Sequence, residues 1–162
     1  MARQKLIAEL LERHAEDLAF LWGQRRDALA SPEHTLREFG ELNQRIEAHV
    51  QGLLVAPAEV LIERAGPALA APDRDEVFAA AYPLLRVARP EATRPVLAAF
   101  AQAAGAALAG LRDALSLAPP ALFVAEMQAT LAQAPPPPAV AAAVVLANHR
   151  LLEAGSSRLA SL

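Results

Sequence analysis

Cysteine is absent from the 162 residues. That excludes disulfide frameworks and cysteine-based zinc or redox sites, and nothing in the chain demands an oxidising compartment. Aromatic residues are scarce, 4% against 54% hydrophobic residues overall. The core must then be made of Ala, Leu and Val, which favours closely packed helices over a sandwich or barrel. A basic stripe is missing as well: no cationic cluster exists beyond Arg25-Arg26 and the formal charge is -3. Phosphate recognition therefore has no footprint, and nucleic acid is not an expected partner. The longest charge-free runs are PVLAAFAQAAGAALAGL (95–111) and the stretch from Met127 to His149. The first is Ala-dominated and just short of the ~20 apolar residues of a membrane span, and the second is broken by Pro135 to Pro138. Both predict buried helices and no membrane partner. The first residues, MARQKLIAELLERHAED, carry charges every few positions without an apolar signal core, so cytoplasmic residence is expected.

What is present reads as helix after helix. A chain of this length suits one domain or a single block of repeats. The first helix is predicted from about Ala2 to Ala30, ending at Ser31-Pro32. The second opens at Thr35, whose TLRE pattern to Glu38 is a capping box, and runs to about Leu54. A shorter segment follows Pro57. Asp73 with Glu76 marks a further start, which Pro83 should end or kink. Helical segments near 91–104, 106–117, 120–133 and 139–154 alternate with Pro or Gly punctuation. No strand signal intervenes. The spacing predicts an all-α fold of stacked antiparallel hairpins, a short HEAT-like α-solenoid, with an N-terminal hairpin at 1–56 continuous with an Ala/Pro-rich helical region at 57–162.

The first hairpin holds most of the chemistry-bearing residues. At 100° per residue, Leu6, Ile7, Leu10, Leu11, Leu18, Leu21 and Leu29 share one broad face, with His14 and Arg25 near its middle and therefore expected to be largely inaccessible. The second helix gathers Leu36, Phe39, Leu42, Ile46, Val50 and Leu53, with Asn43 inside the stripe and His49 on its edge. In an antiparallel hairpin, residues at equal height sum to about 66 here, which sets Asp17 opposite His49 and predicts a pair that raises the His49 pKa. Arg25 must satisfy up to five donors, for which Asn43 and backbone carbonyls are the expected acceptors. Trp22 sits at the margin of the apolar face and is assigned to packing. Phe20 falls among Glu9, Glu12 and Glu16 on the outer side, where an exposed aromatic beside three acids suits partner binding. The negative charge also gathers here: residues 1–64 hold 8 Lys+Arg against 11 Asp+Glu, and the rest 7 against 7.

Catalysis finds little support. His14, His34, His49 and His149 lack the spacing of convergent zinc ligands, so no metal is expected. There is no P-loop, dinucleotide fingerprint, nucleophile elbow or Ser/His/Asp arrangement, so no catalytic residue and no cofactor is assigned. Acid/base work by Asp17 and His49 is the rival enzymatic reading, outweighed by mutual structural service. PPPP reads as a stiff connector, and GAALAG (105–110) as a site of close helix packing.

HAEDLAFLWGQRRDAL (14–29), LNQRIEAHVQGLLVA (42–56) and VFAAAYPLL (77–85), followed by GLRDALSLAPPALFVAEMQATLA and AVVLANHRLLEAG, make the chain resemble a proteobacterial family of conserved hypothetical proteins. In that family a helical leader precedes HEAT-like repeats. The resemblance carries over no catalytic residue. Longer members continue with further repeats, whereas this chain stops at SSRLASL, where Ser156 or Ser157 would cap another helix, so a short or truncated member is expected. Some members are similar to proteins found beside type VI secretion effector genes, which implies a non-catalytic immunity protein or adaptor whose partner is another protein, a basic toxin or effector. A self-assembling scaffold is the further alternative, and the oligomeric state is open.

Overall fold

The computed structural model describes residues 2–152 and Arg158, with side chains from Ile7 onward. Among the described residues the fold is entirely helical: α1 (Ala2–Ala30), α2 (Leu36–Leu54), α3 (Ala58–Ala65), α4 (Arg74–Arg86), α5 (Pro90–Gln102), α6 (Gly105–Leu117), α7 (Val124–Gln133) and α8 (Pro136–Asn148). Short 3-10 turns lie at Pro67–Ala70 and Pro120–Leu122. The Leu6 side chain, residues 153–157 with the Ser156/Ser157 cap, and residues 159–162 fall outside the described residues.

Local chemistry sets several helix starts. The capping box of α2 forms as expected: the Thr35 hydroxyl accepts from the Glu38 N–H at 3.3 Å, and the Glu38 carboxylate accepts from the Thr35 N–H at 2.8 Å. The Asp73 carboxylate caps α4, accepting from the N–H groups of Asp75 and Glu76 at 2.8 and 2.9 Å.

The proline readings need correction. Pro83 does not end α4, which continues to Arg86. Every residue from Val77 to Leu85 is buried, so packing on several sides outweighs one missing donor. The tetraproline is no connector either. Pro135 is the N-cap of α8 and Pro136 to Pro138 form its first turn, where N–H groups have no intrahelical acceptor and a fixed φ is already helical. The same helix stops at Asn148, short of the expected 154. Arg150 takes a left-handed φ of 58°, and the Leu151 N–H returns to the Leu146 carbonyl at 2.8 Å in a Schellman closure.

Tertiary packing is organised around α4. It lies between α1 and α6, α6 in turn lies between α4 and α8, and α2 and α7 cover α1 and α8. α3, the first 3-10 turn and α5 pack on one another and on α4. The GAALAG reading holds at its last residue: a Cβ on Gly110 would collide with the Arg74 carbonyl oxygen and lie 2.9 Å from Val77 Cβ, so α6 approaches α4 at backbone contact. On α1, Leu11, Leu18 and Leu21 are buried with Trp22 and Ala28, but Ile7, Leu10 and Leu29 are 45%, 47% and 63% exposed. On α2, Leu36 is 91% exposed. The exposed positions lie toward the two ends of the hairpin, and periodicity does not encode how much of an apolar stripe other helices cover.

Candidate functional site

Two features of the first hairpin carry the chemistry, a polar and aromatic seam and a cleft. The seam begins at His14 and Arg25, which are half-buried rather than inaccessible. Gly52 leaves room for the His14 imidazole, since a Cβ there would stand 2.7 Å from His14 Nε2. His14 Nδ1 meets His49 Nδ1 at 3.1 Å; one nitrogen holds the proton and the other accepts it, so the contact does not survive with both rings cationic. Asp17 Oδ2 lies 3.8 Å from His49 Nδ1, and the predicted approach across the hairpin is therefore present. Its predicted electrostatic result is reversed. The His49 pKa is lowered, first by burial, which Asp17 only partly opposes and to which the charges of His14 and Arg45 add.

About three turns along α1 from His14, Arg25 Nε donates to Asn43 Oδ1 at 2.8 Å, the partner expected from the sequence. Its guanidinium lies between the rings of Trp22 and Phe39, 4.8 Å from each centroid. Burial lowers its pKa, opposed by Asp113 and Tyr82. Trp22 stacks on Phe78 at 3.7 Å between centroids, and Phe78 on Tyr82 at 5.1 Å. Arg86 closes the ladder over Tyr82 at 5.5 Å and makes a two-pronged bond to Glu47, both contacts at 2.9 Å. Arg86 and a second donor, Gln51, hold the Glu47 pKa down to about 2, with the Arg86 contribution larger, and the Arg86 pKa is raised correspondingly. Sequence reasoning missed Glu47 and Arg86, and likewise Arg26 with Asp75 (2.8 Å) and Arg74 with Asp113 (2.6 Å). Each pair bridges two helices far apart in the chain, so no local spacing announces it.

The cleft, of about 500 Å³, opens between α1, the end of α2, α3 and α4. Its floor is apolar, with Leu11, Leu53, Leu61, Ala79, Ala80 and Leu84. Its rim carries Glu12, Glu16, Glu63 and Glu76 against one cation, Arg64, which reaches Glu12 at 3.9 Å. Of the four residues assigned to partner binding, Glu12 and Glu16 thus edge the cleft, whereas Glu9 and Phe20 lie outside its lining. All four are exposed, Phe20 by 63%. Asp17, Asn43, His14 and His49 also lie outside that lining.

Among the described residues, no group of three or more His, Asp or Glu side chains is placed to hold a metal ion, and no helix is long and apolar enough to cross a membrane. The geometry offers a cation-attracting edge around an apolar depression. No family model, curated protein or solved structure matches this chain.

Proposed function

We propose that this chain is a non-catalytic protein-binding module, an immunity protein or adaptor for a type VI secretion effector, built as a short HEAT-like solenoid and working in the cytosol. The row α1, α4, α6, α8 with a second layer of helices supports the solenoid reading. The observation that carries the binding role is the outer side of α1, where Glu9, Glu12, Glu16 and the 63%-exposed Phe20 combine negative charge with an aromatic anchor. A basic effector surface is the matching target: opposite potentials speed encounter, and a desolvated aromatic slows release. The imidazoles and carboxylate of His14, His49 and Asp17 engage one another rather than the cleft, which favours a structural over an acid/base role.

Affinity capture from the native host, followed by reconstitution with the identified partner, tests this reading. The Glu12→Lys/Glu16→Lys variant is expected to slow association about tenfold or more at low salt while changing dissociation less, and wild-type binding should weaken as salt is added. Unchanged affinity in the double variant, with a partner that binds the later helices instead, overturns the acidic-face assignment.

A further inference from the structure

We infer that the cleft between α1, α3 and α4 is a docking site for a basic amphipathic helix of a partner protein, an inference that rests on the protein-binding reading above and gives it a place and a chemistry. Charge complementarity selects the occupant. Four carboxylates, those of Glu12, Glu16, Glu63 and Glu76, ring the depression, and the single cation on the rim, Arg64, stands 3.9 Å from Glu12. An incoming Lys or Arg therefore meets an excess of negative charge from α1, α3 and α4 together. The floor asks for something different. Leu11, Leu53, Leu61, Ala79, Ala80 and Leu84 give apolar side chains a surface to cover, and a purely charged ligand would leave it wet.

The occupant's secondary structure follows from hydrogen bonding. The walls are helices and the first 3-10 turn, whose backbone groups are largely spent within themselves, and among the described residues no strand edge borders the cleft. A segment entering it must satisfy its own N–H and C=O groups, which a helix does and an extended strand does not. Two carbonyls of the lining lack the usual i+4 donor: Pro83 has no N–H to give the Ala79 carbonyl, and Pro67 has none to give the Glu63 carbonyl. A carbonyl without that donor suits the side-chain N–H of an arginine or lysine reaching past the apolar anchors. The small residues Ala15, Ala79 and Ala80 let a helix come close, and the volume takes several of its side chains rather than the whole cylinder.

The test uses a fluorescein-labelled peptide of about 15 residues, with leucines at i, i+3, i+4 and i+7 and Lys/Arg on the flanking positions, titrated into the full chain and followed by anisotropy. Methyl resonances of wild-type Leu53, Leu61, Leu84, Ala79 and Ala80 should shift on saturation. Ala80→Leu, which fills the floor, should weaken binding about tenfold or more. Glu12→Lys/Glu76→Lys should do the same and flatten the salt dependence, whereas the equal charge change Glu33→Lys/Glu126→Lys, away from the cleft, should leave affinity within about twofold. Three outcomes overturn the inference: cleft methyls that stay still while the peptide binds, an oligolysine of the same length binding as tightly, or the remote reversal weakening binding as much as the rim reversal. The methyl readout needs no variant to fold. Failure here with effector capture still dependent on Glu12 and Glu16 removes the cleft and leaves the proposed function. Cleft shifts without any captured effector do the reverse.

Discussion

Glu47 shows how one residue couples pH to the fold. Its pKa is about 2 when folded, against an ordinary value of about 4.3 in the unfolded chain. A carboxylate with a depressed folded pKa stabilises fully above the unfolded value, and that contribution is lost as pH falls toward about 2. The Glu47 side chain is 46% exposed, so the pair is discounted for screening, and Glu47→Gln should cost only about 1 kcal/mol at neutral pH. Denaturant titrations from about pH 5 to 2.5 should lose stability less steeply in that variant than in wild type; parallel curves would remove the linkage. His49 runs in the same direction for the opposite reason. Its folded pKa is lowered, so below about pH 6.5 the unfolded chain takes up a proton that the folded chain resists, and stability falls with acid. His49→Gln should flatten the melting-temperature difference between about pH 7.5 and 5.5. A histidine stabilised as the cation by Asp17 would instead show wild type gaining stability over that interval. Chain position brought His49 to Asp17, but the balance between burial and charge depended on the depth of the site and on His14 and Arg45, which a helical register does not supply.

At the scale of elements, the chain's sharpest constraints are points of close approach and left-handed residues. Gly110→Ala should destabilise by about 2–3 kcal/mol, because its Cβ would press on the Arg74 carbonyl and on Val77, both on α4, and two packed helices must separate to admit it. Urea unfolding measures this; a change below ~0.5 kcal/mol would mean that α6 yields easily. Ala88, just past α4, has φ 56°, a conformation that a Cβ disfavours by roughly 1 kcal/mol. Ala88→Gly should accordingly stabilise by about 0.5–1 kcal/mol despite the added freedom of glycine when unfolded, read from the same urea midpoints. Neither position stands out in the periodicity. GAALAG did, because small residues in a row permit close approach, yet only the packed structure says that Gly110 makes it while Gly105 faces open space at φ +54°.

The whole molecule turns on α4, which touches α1, α2, α3, α5 and α6. The first hairpin does not enclose its own core: Trp22 is 4% exposed because Phe78 of α4 covers it, and Arg26 finds Asp75 at the start of α4. Residues 1–56 expressed alone should therefore show weak helicity and no cooperative thermal transition, whereas the full chain should melt in one step. Circular dichroism decides between them, and a sharp transition in the fragment would show that the hairpin is self-sufficient.

Composition and pattern determined the helical class, the span of α1, the capping box of α2, the Asp73 start of α4, the Arg25–Asn43 bond, the Asp17–His49 approach and the exposure of Phe20. These depend on residues within a few turns of each other or on one hairpin register, where 3.6-residue periodicity and cap chemistry act directly. Tertiary structure alone decided that Pro83 would be carried inside a helix, that a tetraproline would begin one, and that Leu36 and Leu29 would face solvent. It also decided the Glu47–Arg86 clamp, the Trp22–Phe78–Tyr82 ladder and the cleft that unites Glu12 and Glu16 with Glu63 and Glu76. Each of these joins residues from helices distant in the chain, and their energies arise from the burial, desolvation and pairing that exist only once α4 is enclosed.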